Sequence, residues 1–246
     1  MLMCATCPPV PYKLRQTSAI LSSQTISNSQ VPARCSLRIE GGSSLHNNPK
    51  PWLLVGLGNP GKKYEGTRHN VGFEMIDSIA QAEGISLNAI QSKALIGKGY
   101  ICNAPVLLAK PQTYMNLSGE SVGPLAVYYR IPFHHILLIV DMTELACGVM
   151  RLQAKGGHRA HNGVKNVIDN LKGNHDFPRL YIGVGAPPGL MDPKAYVLQQ
   201  FSPMEREKMN ACLQEGVDAV RLLISKGFSE HIDSFNIKQK YKYHKV

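Results

Sequence analysis

From Pro51 onward the chain alternates between short apolar runs and stretches whose apolar residues recur at helical spacing. Leu53 to Val55 reads as a buried strand that breaks into a loop with glycine at 56, 58, 61 and 66 and with Pro60. Phe73, Ile76, Ile79 and Ala80 then mark one face of a helix, which Gly84 ends. Ala94 to Ile101 and Val106 to Ala109 read as two strands about Asn103-Ala104. A second polar loop, 110–119, leads to a helix with Ser118 as its N-cap and with Val122, Leu125, Ala126 and Tyr129 on its inner face. Ile136 to Val140 is a strand that ends in Asp141, and Val149 to Gln153 is another. After a third polar loop comes a helix bearing Val164, Val167, Ile168 and Leu171. Leu180 to Val184 is the last clear strand, 186–193 is loop, and Pro203 to Ser225 is a long helix closed by Gly227. Strands alternating with helices over about 195 residues predict a single α/β domain.

Residues 1–50 lack this pattern. They hold eight serines, five Lys or Arg and one acid, Glu40, with no secretory apolar core. That is transit-peptide composition, although a disordered arm would share it. Richness in Ser and Thr without an Arg-rich amphipathic helix favours a chloroplast stroma destination over a mitochondrion. The whole chain carries 27 Lys plus Arg against 17 Asp plus Glu, a formal +10. Subtracting the leader's 5 − 1 = +4 leaves +6 for residues 51–246. An anionic partner is implied, with nucleic acid first. No apolar run approaches the roughly 18 residues of a membrane span, so no membrane partner is expected.

The glycines after the first strand suggest a phosphate loop, but neither G-x-G-x-x-G nor G-x-x-x-x-G-K-[ST] is present. No nucleotide cofactor follows. Cys4 and Cys7 have no second ligand pair, and all six cysteines read as free thiols, so no metal and no other cofactor is expected.

Four loops at strand ends carry a polar set: Asn59 with His69, then Asn116, Asp141 and Asn162. Strand ends lie along one edge of a sheet, where functional groups gather. A carboxylate on the far nitrogen of an imidazole fixes its tautomer and raises its basicity, so His69 with Asp141 is suited to activating water. The asparagine amides both donate and accept, which suits them to orient that water or hold an oxyanion. Taken singly, Asn116 and Asn162 read equally well as turn or cap residues.

At three places the match becomes specific. Gly56-Leu57-Gly58-Asn59-Pro60-Gly61 with Tyr64 and Thr67-Arg68-His69-Asn70-Val71-Gly72-Phe73, then Lys110 through Gly119, then Gly156-Gly157 through His161-Asn162-Gly163, resemble the signatures of bacterial-type peptidyl-tRNA hydrolases. The resemblance implies one domain over 51–230 with a mixed, twisted sheet flanked by helices, and cleavage of the ester between peptide and tRNA. His69 would be the general base, Asp141 its orienting partner, and Asn59 a reader of the blocked aminoacyl end. Tyr64, Tyr114, Asn116 and Asn162 would line the tRNA and peptide site.

The chain also departs from that pattern. It reads Asp141-Met142-Thr143-Glu144-Leu145 where the family usually shows two acids, and Arg159-Ala160 where it has a glycine pair. With Pro187-Pro188-Gly189 and the end of the chain, these departures resemble a plant branch of chloroplast splicing facilitators, which assist group II introns with an RNA-binding partner protein. The expected function is RNA binding in such splicing; the alternative is an active hydrolase of peptidyl-tRNA. Residues 231–246 read as a basic tail, Lys238, Lys240, Lys242 and Lys245 interleaved with Tyr241 and Tyr243, suited to phosphate and base contact or simply to solvent. Met142 and Leu190-Met191 read either as docking area or as core.

Overall fold

The computed structural model describes residues 49–227 and 232–243. The expected leader lies outside them apart from Pro49 and Lys50. In chain order the elements are β1 (Trp52–Gly56), α1 (Val71–Glu83), β2 (Ala89–Gln91), β3 (Ala94–Ile101), β4 (Ala104–Pro111), α2 (Gly119–Tyr128), β5 (Ile136–Met142), β6 (Met150–Gln153), α3 (Asn162–Asn170), β7 (Arg179–Gly183), α4 (Pro193–Val197), α5 (Pro203–Lys226) and α6 (Ile232–Lys240). The strands form one mixed sheet in the order β2-β3-β4-β1-β5-β7-β6. β4, β1, β5 and β7 are parallel, while β2 with β3, β3 with β4, and β6 with β7 are antiparallel.

Every residue of β1, β5 and β7 is buried, which is why these strands read as continuous apolar runs. Leu54, Leu137 and Ile139 face α1 and α5, whereas Leu53, Val55 and Leu138 face α2 and α3. On α1 the helical-spacing residues Ile76 and Ile79 are fully buried, each contributing ~1.5–3 kcal/mol relative to exposure. β1 is the point where the chain reverses: the strand that follows on one side is β4, and the strand on the other is β5. A crevice opens at such a switch point beyond the carboxyl ends of the strands. α1 comes close to β1 there because a Cβ on Gly56 would lie 2.0 Å from the Gly72 carbonyl oxygen, and one on Gly72 would lie 2.4 Å from that of Leu57.

Three local expectations are corrected. Ser118 stands at the N-cap position of α2 but is itself helical and makes no capping bond; its hydroxyl donates to the Met115 carbonyl at 2.9 Å. The Gly119 N–H is taken instead by Asn166 Oδ1 of α3, at 2.8 Å. Pro193, the last residue of the expected loop 186–193, instead opens the short helix α4, with Asp192 accepting from the Lys194 N–H at its start.

The third correction concerns the expected tail. Over 232–243 it is α6 and a turn, laid along the outer edge of β6. Asn236 accepts from the Leu152 N–H and donates to the Leu152 carbonyl, both at 2.9 Å. Gln239 accepts from the Met150 N–H at 3.0 Å, and Lys242 donates to the Gly148 carbonyl at 2.8 Å. Side chains three residues apart on a helix face one way, so these three stand in for a neighbouring strand. The long helix α5 runs as expected, opening on a capping box in which Ser202 and Glu205 bond each other's backbone.

Candidate functional site

A cavity of about 650 Å³ lies beyond the carboxyl ends of β1, β4 and β5. His69, Asp141, Asn59, Tyr114, Asn116 and Asn162 all line it. Tyr64 does not; it meets the cavity through Tyr114, ring edge to ring face at 6.4 Å between centroids.

His69 sits in a single 3-10 turn, Arg68–Asn70, directly before α1. Two anchors fix that turn. Asn70 is paired back onto the strand exit, accepting from the Asn59 N–H and donating to the Asn59 carbonyl, both at 2.9 Å. Arg68 is buried and forks onto Glu205 of α5 at 3.0 and 2.8 Å, while also donating to the Val184 carbonyl. Its guanidinium stacks between Tyr196 and Phe201.

Asp141, at the end of β5, is 3% exposed. His69 Nδ1 donates to it, 2.9 Å from each carboxylate oxygen. Nδ1 therefore carries the proton, and Nε2 is left as the basic nitrogen. Burial pulls the His69 pKa down, but the charge of Asp141 and the hydrogen bond to it together outweigh that and leave it raised. For Asp141 burial alone would raise the pKa, yet the two imidazoles beside it hold its carboxyl well below the usual range, so it stays ionised.

The second imidazole belongs to His161, which sequence reasoning passed over although it stands inside the third motif. Its Nε2 donates to Asp141 Oδ1 at 3.0 Å, and its Nδ1 accepts from the Val164 N–H at 3.3 Å. One ring thus caps α3 and supports the carboxylate. Nothing local could have signalled this, since Asp141 is 20 residues away.

Asn162 follows His161, but not for the reason given by strand order. β6 is antiparallel, so Gln153 ends beside Arg179 at the opposite edge of the sheet. Residues 154–161 must climb back, starting where the Gly156 N–H meets the His175 carbonyl and ending on Asp141. Asn59 is 8% exposed; its Oδ1 accepts from the Met115 N–H at 2.8 Å, which turns the amide NH2 to the other side and seats Tyr114 and Asn116 at the cavity.

The ligating atoms of His69, Asp141 and His161 lie within 4.8 Å of one another, the spacing of a metal-binding group. Both nitrogens facing Asp141 hold protons in the bonded arrangement, so a cation would have to displace them. The far wall is different in character. Met142 is 6% exposed and belongs to the core and the wall, whereas Leu190 is fully exposed. Arg159 and Glu144 form an ion pair at 3.3 Å, and Lys194 and Leu198 complete the rim. Among the described residues no helix is long and apolar enough to cross a membrane.

A family model described as peptidyl-tRNA hydrolase matches residues 53–244. The chain belongs to the peptidyl-tRNA hydrolase family. A crystal structure of peptidyl-tRNA hydrolase from Acinetobacter baumannii superposes with a TM-score of 0.71 at 34% identity, covering 76% of this chain and 95% of that one. Among curated proteins, a chloroplastic group IIB intron splicing facilitator of Arabidopsis thaliana is 55% identical over 100% of both chains. A chloroplastic peptidyl-tRNA hydrolase of Arabidopsis thaliana is 54% identical over 77% of this chain and 66% of its own. The peptidyl-tRNA hydrolase fold is therefore shared by relatives of two kinds, one named for splicing and one for hydrolysis.

Proposed function

We propose that this chain is an RNA-binding peptidyl-tRNA hydrolase homologue that acts in group II intron splicing in the chloroplast stroma, together with an RNA-binding protein partner. Extent of similarity carries the reading: the splicing facilitator is matched end to end, the hydrolase over three quarters of this chain. The +6 charge of residues 51–246 supports a polyanionic partner. Its test is retention of a group II intron transcript by the full chain, in filter binding across a salt series. Affinity that falls steeply with salt is expected; no binding at low salt would sink the reading.

A second reading rests on one observation, the basic Nε2 of His69 facing a cavity. In it a water bound at Nε2 attacks the ester carbonyl carbon of peptidyl-tRNA, its proton passes to Nε2, and the ribose oxygen departs as a hydroxyl on receiving that proton. The Asn59 NH2 is placed to hold the peptide or the developing oxyanion. Free peptide and tRNA are the products. Incubating the full chain and its His69→Ala variant with a peptidyl-tRNA separates the readings: turnover lost in the variant establishes a hydrolase, and none in either leaves the splicing role alone.

A further inference from the structure

The pair formed by Arg159 and Glu144 lies on the lining of the cavity, not over the core. Arg159 stands on the segment between β6 and α3, Glu144 on the one after β5, and both line the space that holds His69 and Asp141. Their side chains are 36% and 64% exposed. Such a bridge is weak, because water screens both charges and two long side chains must be held still. Yet Arg159 is delivered to it at φ 44° and the next residue, Ala160, at φ 58°, consecutive left-handed positions where any side chain is strained. Strain of that kind persists where the placement of a group has a use, and a screened surface bridge does not supply one. Tyr181 also lines the cavity, and its hydroxyl is buried without a hydrogen-bond partner among the described residues.

We propose that Arg159 is a phosphate-binding residue, and that in the free protein Glu144 occupies its guanidinium in place of an RNA phosphodiester. The inference rests on the RNA-binding reading above and names the contact at the cavity mouth. A guanidinium grips two oxygens of a phosphate as it would two of a carboxylate, and the partner gained must be the stronger for the bridge to give way. Glu144 holds Arg159 by one nitrogen only, at 3.3 Å. A phosphodiester that takes both terminal nitrogens displaces it, and the freed carboxylate is repelled by the incoming charge.

Binding of bulk deacylated tRNA to the full chain, measured across a salt series, tests this with Glu144→Gln, Arg159→Gly and the double variant. Glycine suits the left-handed backbone, so Arg159→Gly folds, as a thermal melt would verify. Glu144→Gln should tighten binding about two- to fivefold, the limit set by what an exposed bridge is worth. Arg159→Gly should weaken it and reduce the salt slope by about 0.9, one phosphate contact. The double variant should match Arg159→Gly alone. Equal tightening by Glu144→Gln with or without Arg159 would overturn the exchange, since Glu144 would then act only through its general field. An unchanged salt slope in Arg159→Gly would overturn the phosphate contact. Wild-type protein that bound neither tRNA nor intron RNA would remove the RNA reading itself.

Discussion

The floor and the rim of the cavity are built by opposite rules. On the floor, Asp141 receives N–H bonds from His69 and His161, Asn59 is pinned by Met115 and Asn70, and each of these groups is at least half-buried. On the rim, Glu144 and Arg159 are exposed and share one bond, and Arg159 sits on left-handed backbone. The difference teaches where this chain can change without losing its chemistry. In a floor of reciprocal bonds each single replacement strands a buried partner, whereas a rim of screened charges can be rewritten one residue at a time at little cost.

The largest test of this contrast is His69→Ala. If the floor hydrolyses peptidyl-tRNA at all, loss of its base should slow turnover by about 10²- to 10⁴-fold, measured as released peptide. Asp141→Asn comes next. With the carboxylate gone, burial alone acts on His69, so its pKa, raised above 6.5 in the native protein, should fall below 6.5 in the variant. An NMR titration of the ring reads this directly, and any activity that needs the neutral imidazole should keep its acid limb at lower pH. A pKa unchanged by the substitution would mean that Asp141 does not govern the base.

Glu205→Gln probes the scaffold behind the floor. The bidentate bond from Arg68 is the main reason that the Glu205 pKa is lowered from 4.5 to about 2. A carboxylate with a depressed folded pKa stabilises above its unfolded pKa and loses that contribution as pH falls through the folded one. The variant should therefore be less stable at neutral pH by about 1.5–3 kcal/mol and should lose part of the wild-type stability change between pH 4.5 and about 2. Denaturant melts at neutral pH and at about pH 2.5 check both. The smallest effect belongs to the rim: Ala160→Gly relieves a left-handed side chain but loosens the unfolded chain, so stability should rise by at most ~1 kcal/mol. A loss of more than that would mean the rim is as interlocked as the floor.

How much of this was legible in the sequence follows from how far each contact reaches. The strand and helix pattern gave the α/β domain because buried parallel strands and amphipathic helices leave different periods in the chain. His69, Asp141 and Asn59 could be found because each follows a strand that runs toward the same edge. Asn162 was placed in the right cavity on a premise that fails for β6, which runs the other way, so its arrival depends on the returning segment 154–161. His161 and Asn166 were missed since their partners, Asp141 and Gly119, lie 20 and 47 residues off and share no period with them. In residues 232–243 the eye follows Lys and Tyr, while the bonds to β6 come from the amides of Asn236 and Gln239, with Lys242 alone of the cations joining them.

That arrangement also sets an order in time. The Leu152 and Met150 N–H groups find their partners 84 and 89 residues later in the chain. During synthesis, β6 is complete long before anything exists to cover it, and a bare strand edge is a template for pairing with another molecule. The edge of this sheet can therefore be covered only when residues 236–242 emerge, and every chain that stops short of Asn236 leaves translation with an adhesive edge.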